Sequence, residues 1–173
     1  LEKNTYKVNF TGGDPLVQSE AVVEMAKFVQ AKNIPTYIES SCYDSQKFSQ
    51  VLPHINYIKI EFKTPDSEFV DPKHYSKLLE NELQCLNYAV NSQKTTYIKV
   101  VISSKTQLEP FKNLLEKIFG AISKTQIAGF IIQPSYGIAE PSLKQLFSFY
   151  DTVYPYYNEV RILPHLHKFI GAP

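Results

Sequence analysis

Tryptophan is absent, arginine occurs once (Arg161) against seventeen lysines, and the cysteines are two, Cys42 and Cys85. A single guanidinium leaves little scope for bidentate phosphate clamps. Two cysteines cannot build a disulfide framework, and their separation fits no metal-site spacing. An excess of either charge is missing too: 18 basic against 17 acidic residues give +1. That balance gives no reason to expect direct nucleic-acid binding or an anionic membrane surface. No run approaches 18 apolar residues, so no transmembrane helix is expected. Nothing resembles a signal peptide, which favours the cytoplasm. Low-complexity segments, linkers and self-similar repeats are also lacking. The 173 residues therefore fit one domain, 1–173, around one core.

What is present is a regular alternation. Short runs rich in β-branched and aromatic residues recur at 6–10, 36–39, 57–62, 96–102, 128–133 and 159–163. Helical patterns lie between them. Residues 19–31 put Val22, Val23, Met25, Ala26 and Val29 on one side, with Ser19 as candidate N-cap. Residues 73–90 and 106–119 repeat the pattern with leucine-rich stripes, and Cys85 falls on the apolar side of the first. A buried free thiol is the expectation there; Cys42, just after a strand, is left open. Pro141 suits the first turn of a helix carrying Leu143, Leu146, Phe147 and Tyr150. Strands alternating with helices predict an α/β protein with a parallel sheet, either barrel-like or doubly wound.

In such folds the working groups collect at the carboxyl ends of strands. Those ends read Thr11-Gly12-Gly13-Asp14-Pro15, Glu39-Ser40-Ser41-Cys42, Glu61-Phe62-Lys63-Thr64, Ser103-Ser104-Lys105, Gln133-Pro134-Ser135 and Pro164-His165-Leu166-His167-Lys168. Nearly all offer hydrogen-bonding or charged groups and could line one polar site. The glycine pair is either a plain turn or a place where a ligand nears the backbone, with Asp14 accepting from a cationic group. It is not a phosphate loop, having neither a Gly-x-x-x-x-Gly-Lys pattern nor a full G-x-G-x-x-G. His165 and His167 would share a strand face, but no acidic or cysteine partner at a recognisable spacing accompanies them. One histidine as a ligand contact is the preferred reading, and no metal ligand is assigned.

The stretch FTGGDPLVQ resembles the glycine-glycine-acid motif of radical S-adenosylmethionine (radical SAM) enzymes. With YIES, IEFKTP, IIQP and the terminal RILPHLHKFIGAP, in that order, the chain is similar to the 7-carboxy-7-deazaguanine synthases and their archaeal relatives over essentially its whole length. The resemblance implies a partial, open (β/α) barrel. It implies S-adenosyl-L-methionine and a [4Fe–4S] cluster as cofactors, a 5′-deoxyadenosyl radical, and a lyase-type conversion of 6-carboxytetrahydropterin to 7-carboxy-7-deazaguanine for queuosine or archaeosine in tRNA. It brings with it an electron donor such as flavodoxin or ferredoxin, a magnesium site near the cluster loop, and a homodimer.

Carried over residue by residue, the resemblance assigns Gly12, Gly13 and Asp14 to the cofactor's amino group and Thr11 to the neighbourhood of the substrate. Glu39 and Ser40 take the next strand-end contact. Lys63 faces the cofactor carboxylate, Ser103 its ribose or carboxylate, and Gln133 and Pro134 lie beneath the adenine. His167 and the carboxylate of Pro173 meet the pterin. The departures are specific. The defining Cys-x-x-x-Cys-x-x-Cys loop does not occur in these residues. The expectation is an N-terminally truncated chain that begins after its first strand and cluster loop and that, as it stands, is inactive. Asp14 stands where Glu is commoner, Ser41-Cys42 where Asn-Gly is usual, and His165 where Gln is common. Two other readings stay open: an activating enzyme of glycyl-radical enzymes, and a degenerate, non-catalytic barrel.

Overall fold

A computed structural model describes residues 4–166. Its strands are β1 (Val8–Phe10), β2 (Thr36–Ser40), β3 (Tyr57–Phe62), β4 (Thr95–Ile102), β5 (Gly129–Pro134) and β6 (Val160–Ile162). The helices are α1 (Ser19–Gln30), α2 (Ser45–Val51), α3 (Tyr75–Asn91), α4 (Leu108–Ala121) and α5 (Leu143–Val153). The strands form one sheet in the order β1-β2-β3-β4-β5-β6, every pair parallel. That order removes the doubly wound alternative, which would need the strand order to reverse. The sheet is not closed: β1 and β6 are its two edges.

Strands of a parallel sheet covered by helices on both faces read as continuous apolar runs. Here they alternate instead. Ile38, Ile58, Ile60, Ile98, Val100, Phe130 and Ile132 are buried, while Tyr37, Glu39, Lys59, Glu61, Tyr97 and Gln133 take the other face. The apolar face packs under the helices, where each buried Ile, Val or Phe contributes about 1.5–3 kcal/mol. The helices touch one another in chain order, α1 on α2, α2 on α3, α3 on α4 and α4 on α5, as a layer outside a curved sheet. The polar face is thus the inside of an open barrel.

Several expectations are corrected in detail. Ser19 does not cap α1: a 3₁₀ turn, Pro15–Gln18, precedes the helix, and Asp14 caps that turn by accepting from the Leu16 N–H. Pro141 lies ahead of Ser142, the true N-cap of α5, whose hydroxyl accepts from the Gln145 N–H in a capping box. α2 has no counterpart among the helical patterns read above; Asp44 starts it by accepting from the Gln46 and Lys47 N–H groups. His165 is not on a strand, since β6 ends at Ile162.

Candidate functional site

β1 ends at Phe10, and the chain turns through Gly12 and Gly13 with φ of +85° and +56°. Both values lie in the left-handed region that side chains disfavour. A Cβ added at either glycine would meet nothing within 4 Å, so the requirement is conformational and the space in front of them is open. The turn delivers Asp14 against the end of β2. Its carboxylate accepts from the Ser40 hydroxyl (2.8 Å), the Ser41 hydroxyl (2.5 Å) and N–H (2.8 Å), and the Leu16 N–H (3.0 Å). A carboxylate has about four lone-pair sites, and four protein donors engage this one. Asp14 therefore builds the cradle before it meets any ligand, tying the glycine turn to the second strand end.

Cys42 completes that strand end with φ of +54°, at the position where the resemblance places glycine. A non-glycine residue there costs roughly 1–2 kcal/mol. Its thiol is fully buried beside Cys85, whose Sγ lies 3.8 Å from the Cys42 carbonyl oxygen. Burial pushes the Cys42 thiol up, and the contact with Cys85 adds to it. Both thiols are buried behind the strand end rather than open to the cavity.

Beyond the cradle a cavity of about 590 Å³ opens on Thr11, Gly13, Asp14, Glu39, Ser40 and Lys63. Six of the expected site residues are thus brought to one surface, with Gly12 adjoining. Ser103 lines a second cavity of about 230 Å³ at the ends of β3, β4 and β5, and Glu61 and Lys63 border both. The Ser103 hydroxyl donates to Asp66 (3.3 Å), which also accepts from the Thr106 hydroxyl (2.8 Å). Gln133 borders neither cavity; its Oε1 is buried without a hydrogen-bond partner. Pro134 ends β5 in a separate hollow of about 180 Å³ that His165 also lines. His167 and Pro173 lie outside the described residues.

The floor of the site is a row of charges of which the sequence reading singled out Glu39 and Lys63, but not Lys59 or Lys99. Register places Glu39 beside Lys59 and Glu61 beside Lys99 on the concave face. Lys99, with a side chain only 5% exposed, pairs with both Glu39 and Glu61; Lys59 also pairs with Glu39 (2.7 Å), and Lys63 with Glu61. Burial alone would raise both carboxyls, but Lys99, joined by Lys59 at Glu39 and Lys63 at Glu61, holds them below the usual carboxylate range. Three ammonium groups against two carboxylates leave one positive charge in excess, and Lys63 ends the row at the boundary of the two cavities. The signal was present in the strands: Lys59 and Glu61 alternate with Ile58, Ile60 and Phe62 in YIKIEF, and Lys99 stands between Ile98 and Val100 in TYIKVV.

Among the described residues, no group of three or more His, Cys, Asp or Glu is placed to hold a metal ion, and no helix is long and apolar enough to cross a membrane.

No family model matches the chain. It is similar to the 7-carboxy-7-deazaguanine synthase of Methanocaldococcus jannaschii, 27% identical over 168 residues that cover 96% of this chain and 67% of that protein. The chain thus spans about two thirds of that relative's length. A shorter match joins it to the 4-hydroxyphenylacetate decarboxylase activating enzyme of Clostridium scatologenes, 42% identical over 62 residues, 35% of this chain and 20% of that one. In fold, it superposes on a radical SAM methyltransferase from Sphaerobacter thermophilus with a TM-score of 0.73 at 12% identity, over 92% of this chain and 51% of that one.

Proposed function

The chain is a radical SAM relative of 7-carboxy-7-deazaguanine synthase, and on that premise we propose that its two neighbouring cavities, which share Glu61 and Lys63, bind S-adenosylmethionine. We further propose that the whole protein uses it in the synthase reaction, from 6-carboxytetrahydropterin to 7-carboxy-7-deazaguanine. The observation that carries this reading is the convergence of the Gly12-Gly13-Asp14 turn, Ser40 and Lys63 on one open cavity. A zwitterionic amino-acid end fits that donor set. Asp14 would accept from an incoming ammonium, which forms a charge-assisted bond and so displaces a neutral serine hydroxyl from the carboxylate. Lys63, at the cavity end of a row with one positive charge in excess, would take the carboxylate. Ser103, at the second cavity, is placed for the hydroxyl-bearing middle of the ligand.

S-adenosylmethionine, when bound, brings a carbon–sulfur bond that can be cleaved reductively. The residues of this chain bind and orient; the ion row fixes the strands that carry the contacts. A [4Fe–4S] cluster does not fit the described residues, because both cysteines are buried against each other and away from the cavity. Its ligands, and any electron donor of the flavodoxin or ferredoxin kind, belong to the whole protein as proposals.

Titration calorimetry of the chain with S-adenosylmethionine tests the first part. Saturable binding is expected, weakened by Gly13→Val, which strains the turn, and by Lys63→Ala. Absence of binding overturns the cofactor reading. Anaerobic turnover of 6-carboxytetrahydropterin by the protein with a reconstituted cluster tests the second part. Cofactor cleavage without deazaguanine product would favour the activating-enzyme reading, which the 62-residue match supports.

A further inference from the structure

We propose that Glu82, together with Tyr75, is a positioning residue of the cavity: from α3 the two side chains hold the backbone of Lys63 and so set where its ammonium stands. The proposal rests on the reading above that Lys63 meets the ligand. The face of α3 turned to the sheet buries Leu78, Leu79, Cys85, Leu86 and Ala89, and in the middle of that apolar stripe stands Glu82, 0% exposed. A leucine would fill such a position without desolvating a carboxyl. The carboxyl has a specific partner instead. Its Oε1 accepts from the Lys63 N–H at 3.0 Å, and the Tyr75 hydroxyl donates to the Lys63 carbonyl at 2.9 Å.

The register of β3 with β4 ends at Phe62↔Val100, so Lys63 is the first residue to leave the sheet. Both of its main-chain polar groups are then bound by side chains of one helix. Its side chain, held between Glu61 and the Phe69 ring (4.5 Å to the centroid), borders both cavities. The other oxygen of Glu82 has no hydrogen-bond partner, so this carboxyl is a poor choice for stability alone. Burial pushes Glu82 well above the usual range, and a neutral carboxyl still offers its carbonyl oxygen to the Lys63 N–H.

Two measurements on the full chain test the proposal: amide hydrogen exchange at Lys63 and binding of S-adenosylmethionine. Glu82→Leu is expected to speed exchange of the Lys63 amide and to weaken binding about tenfold, the scale of one lost hydrogen bond. Glu82→Gln, which keeps an acceptor oxygen, is expected to restore both. In a Lys63→Ala background, Glu82→Leu should cost no further binding, because its effect passes through that ammonium. If Glu82→Leu does not fold, Tyr75→Phe removes the donor to the Lys63 carbonyl, with a smaller loss that also vanishes in the Lys63→Ala background. Unchanged exchange in Glu82→Leu, or losses that add in the double variant, overturns the proposal. Unchanged binding in Lys63→Ala overturns the reading of the ligand contact instead, and exchange at Lys63 still reports whether Glu82 holds the backbone.

Discussion

Glu61 lies on the concave face of β3 between Lys99 and Lys63, whereas Glu82 reaches the end of the same strand from α3, behind the sheet. Both are largely buried carboxyls, yet their protonation equilibria move in opposite directions. Desolvation raises each. At Glu61 two ammonium groups outweigh it, so the charge is kept. At Glu82 the backbone N–H and the charge of Lys63 do not, and Glu61 adds to the rise, so the proton is favoured. On the proposed reading one strand end divides its work: the concave side keeps its charge at the cavity, and from the convex side a carboxyl that favours its proton holds the backbone of Lys63.

Removing the cation that the concave side depends on should give the largest effect. Lys99→Met leaves Glu39 with Lys59 alone and Glu61 with Lys63 alone, and breaking a buried pair in this way costs up to about 3–5 kcal/mol. Urea unfolding at neutral pH measures it; a loss below ~1 kcal/mol would mean that the row is too well solvated to matter. Asp14→Ala comes next, since the cradle loses the acceptor for four donors. Charge-assisted bonds of this kind contribute about 1.5–3 kcal/mol, and the loss should appear in stability even without ligand. An unchanged unfolding midpoint would contradict the cradle.

The pH dependence separates the two carboxyls more finely. Glu61, lowered in the folded state, contributes stability above its unfolded value near 4.5 that disappears as pH falls through its folded value. Glu82, raised, contributes stability below that same value that is lost as pH rises toward its folded value. The advantage of wild type over Glu61→Gln should therefore shrink on acidification, whereas Glu82→Gln should gain in stability relative to wild type as pH rises. Parallel slopes for the two variants would remove the contrast. The smallest effect is expected at the exposed Lys105–Glu68 pair, where Glu68→Gln should leave the unfolding midpoint unchanged, as is usual for solvated ion pairs.

Much of this architecture is legible along the chain. The strands stand within two residues of their sequence-read positions because β-branched and aromatic runs bounded by turn residues have few alternatives. The glycine turn, the second strand end and Lys63 were recognisable because strand ends in parallel folds are where side chains leave the sheet together. α2 escaped notice because its seven residues, SQKFSQV, carry too few apolar positions to show a helical period. Glu82 escaped for the opposite reason: it sits within a leucine stripe, and periodicity does not distinguish a buried carboxyl from a surface one.

Local pattern was thus enough to establish the alternation of strand and helix, the parallel sheet and the polar strand ends, because each depends on neighbours within a few residues. Three things needed the folded chain: the strand order, the row from Lys59 to Lys63, and the hold of α3 on Lys63. Right-handed crossovers are compatible with more than one strand order, and a lysine finds its carboxylates only once register sets residues 39, 59, 61 and 99 side by side. Whether a carboxyl keeps its charge then follows from which partners that register, and the packing behind it, bring within reach.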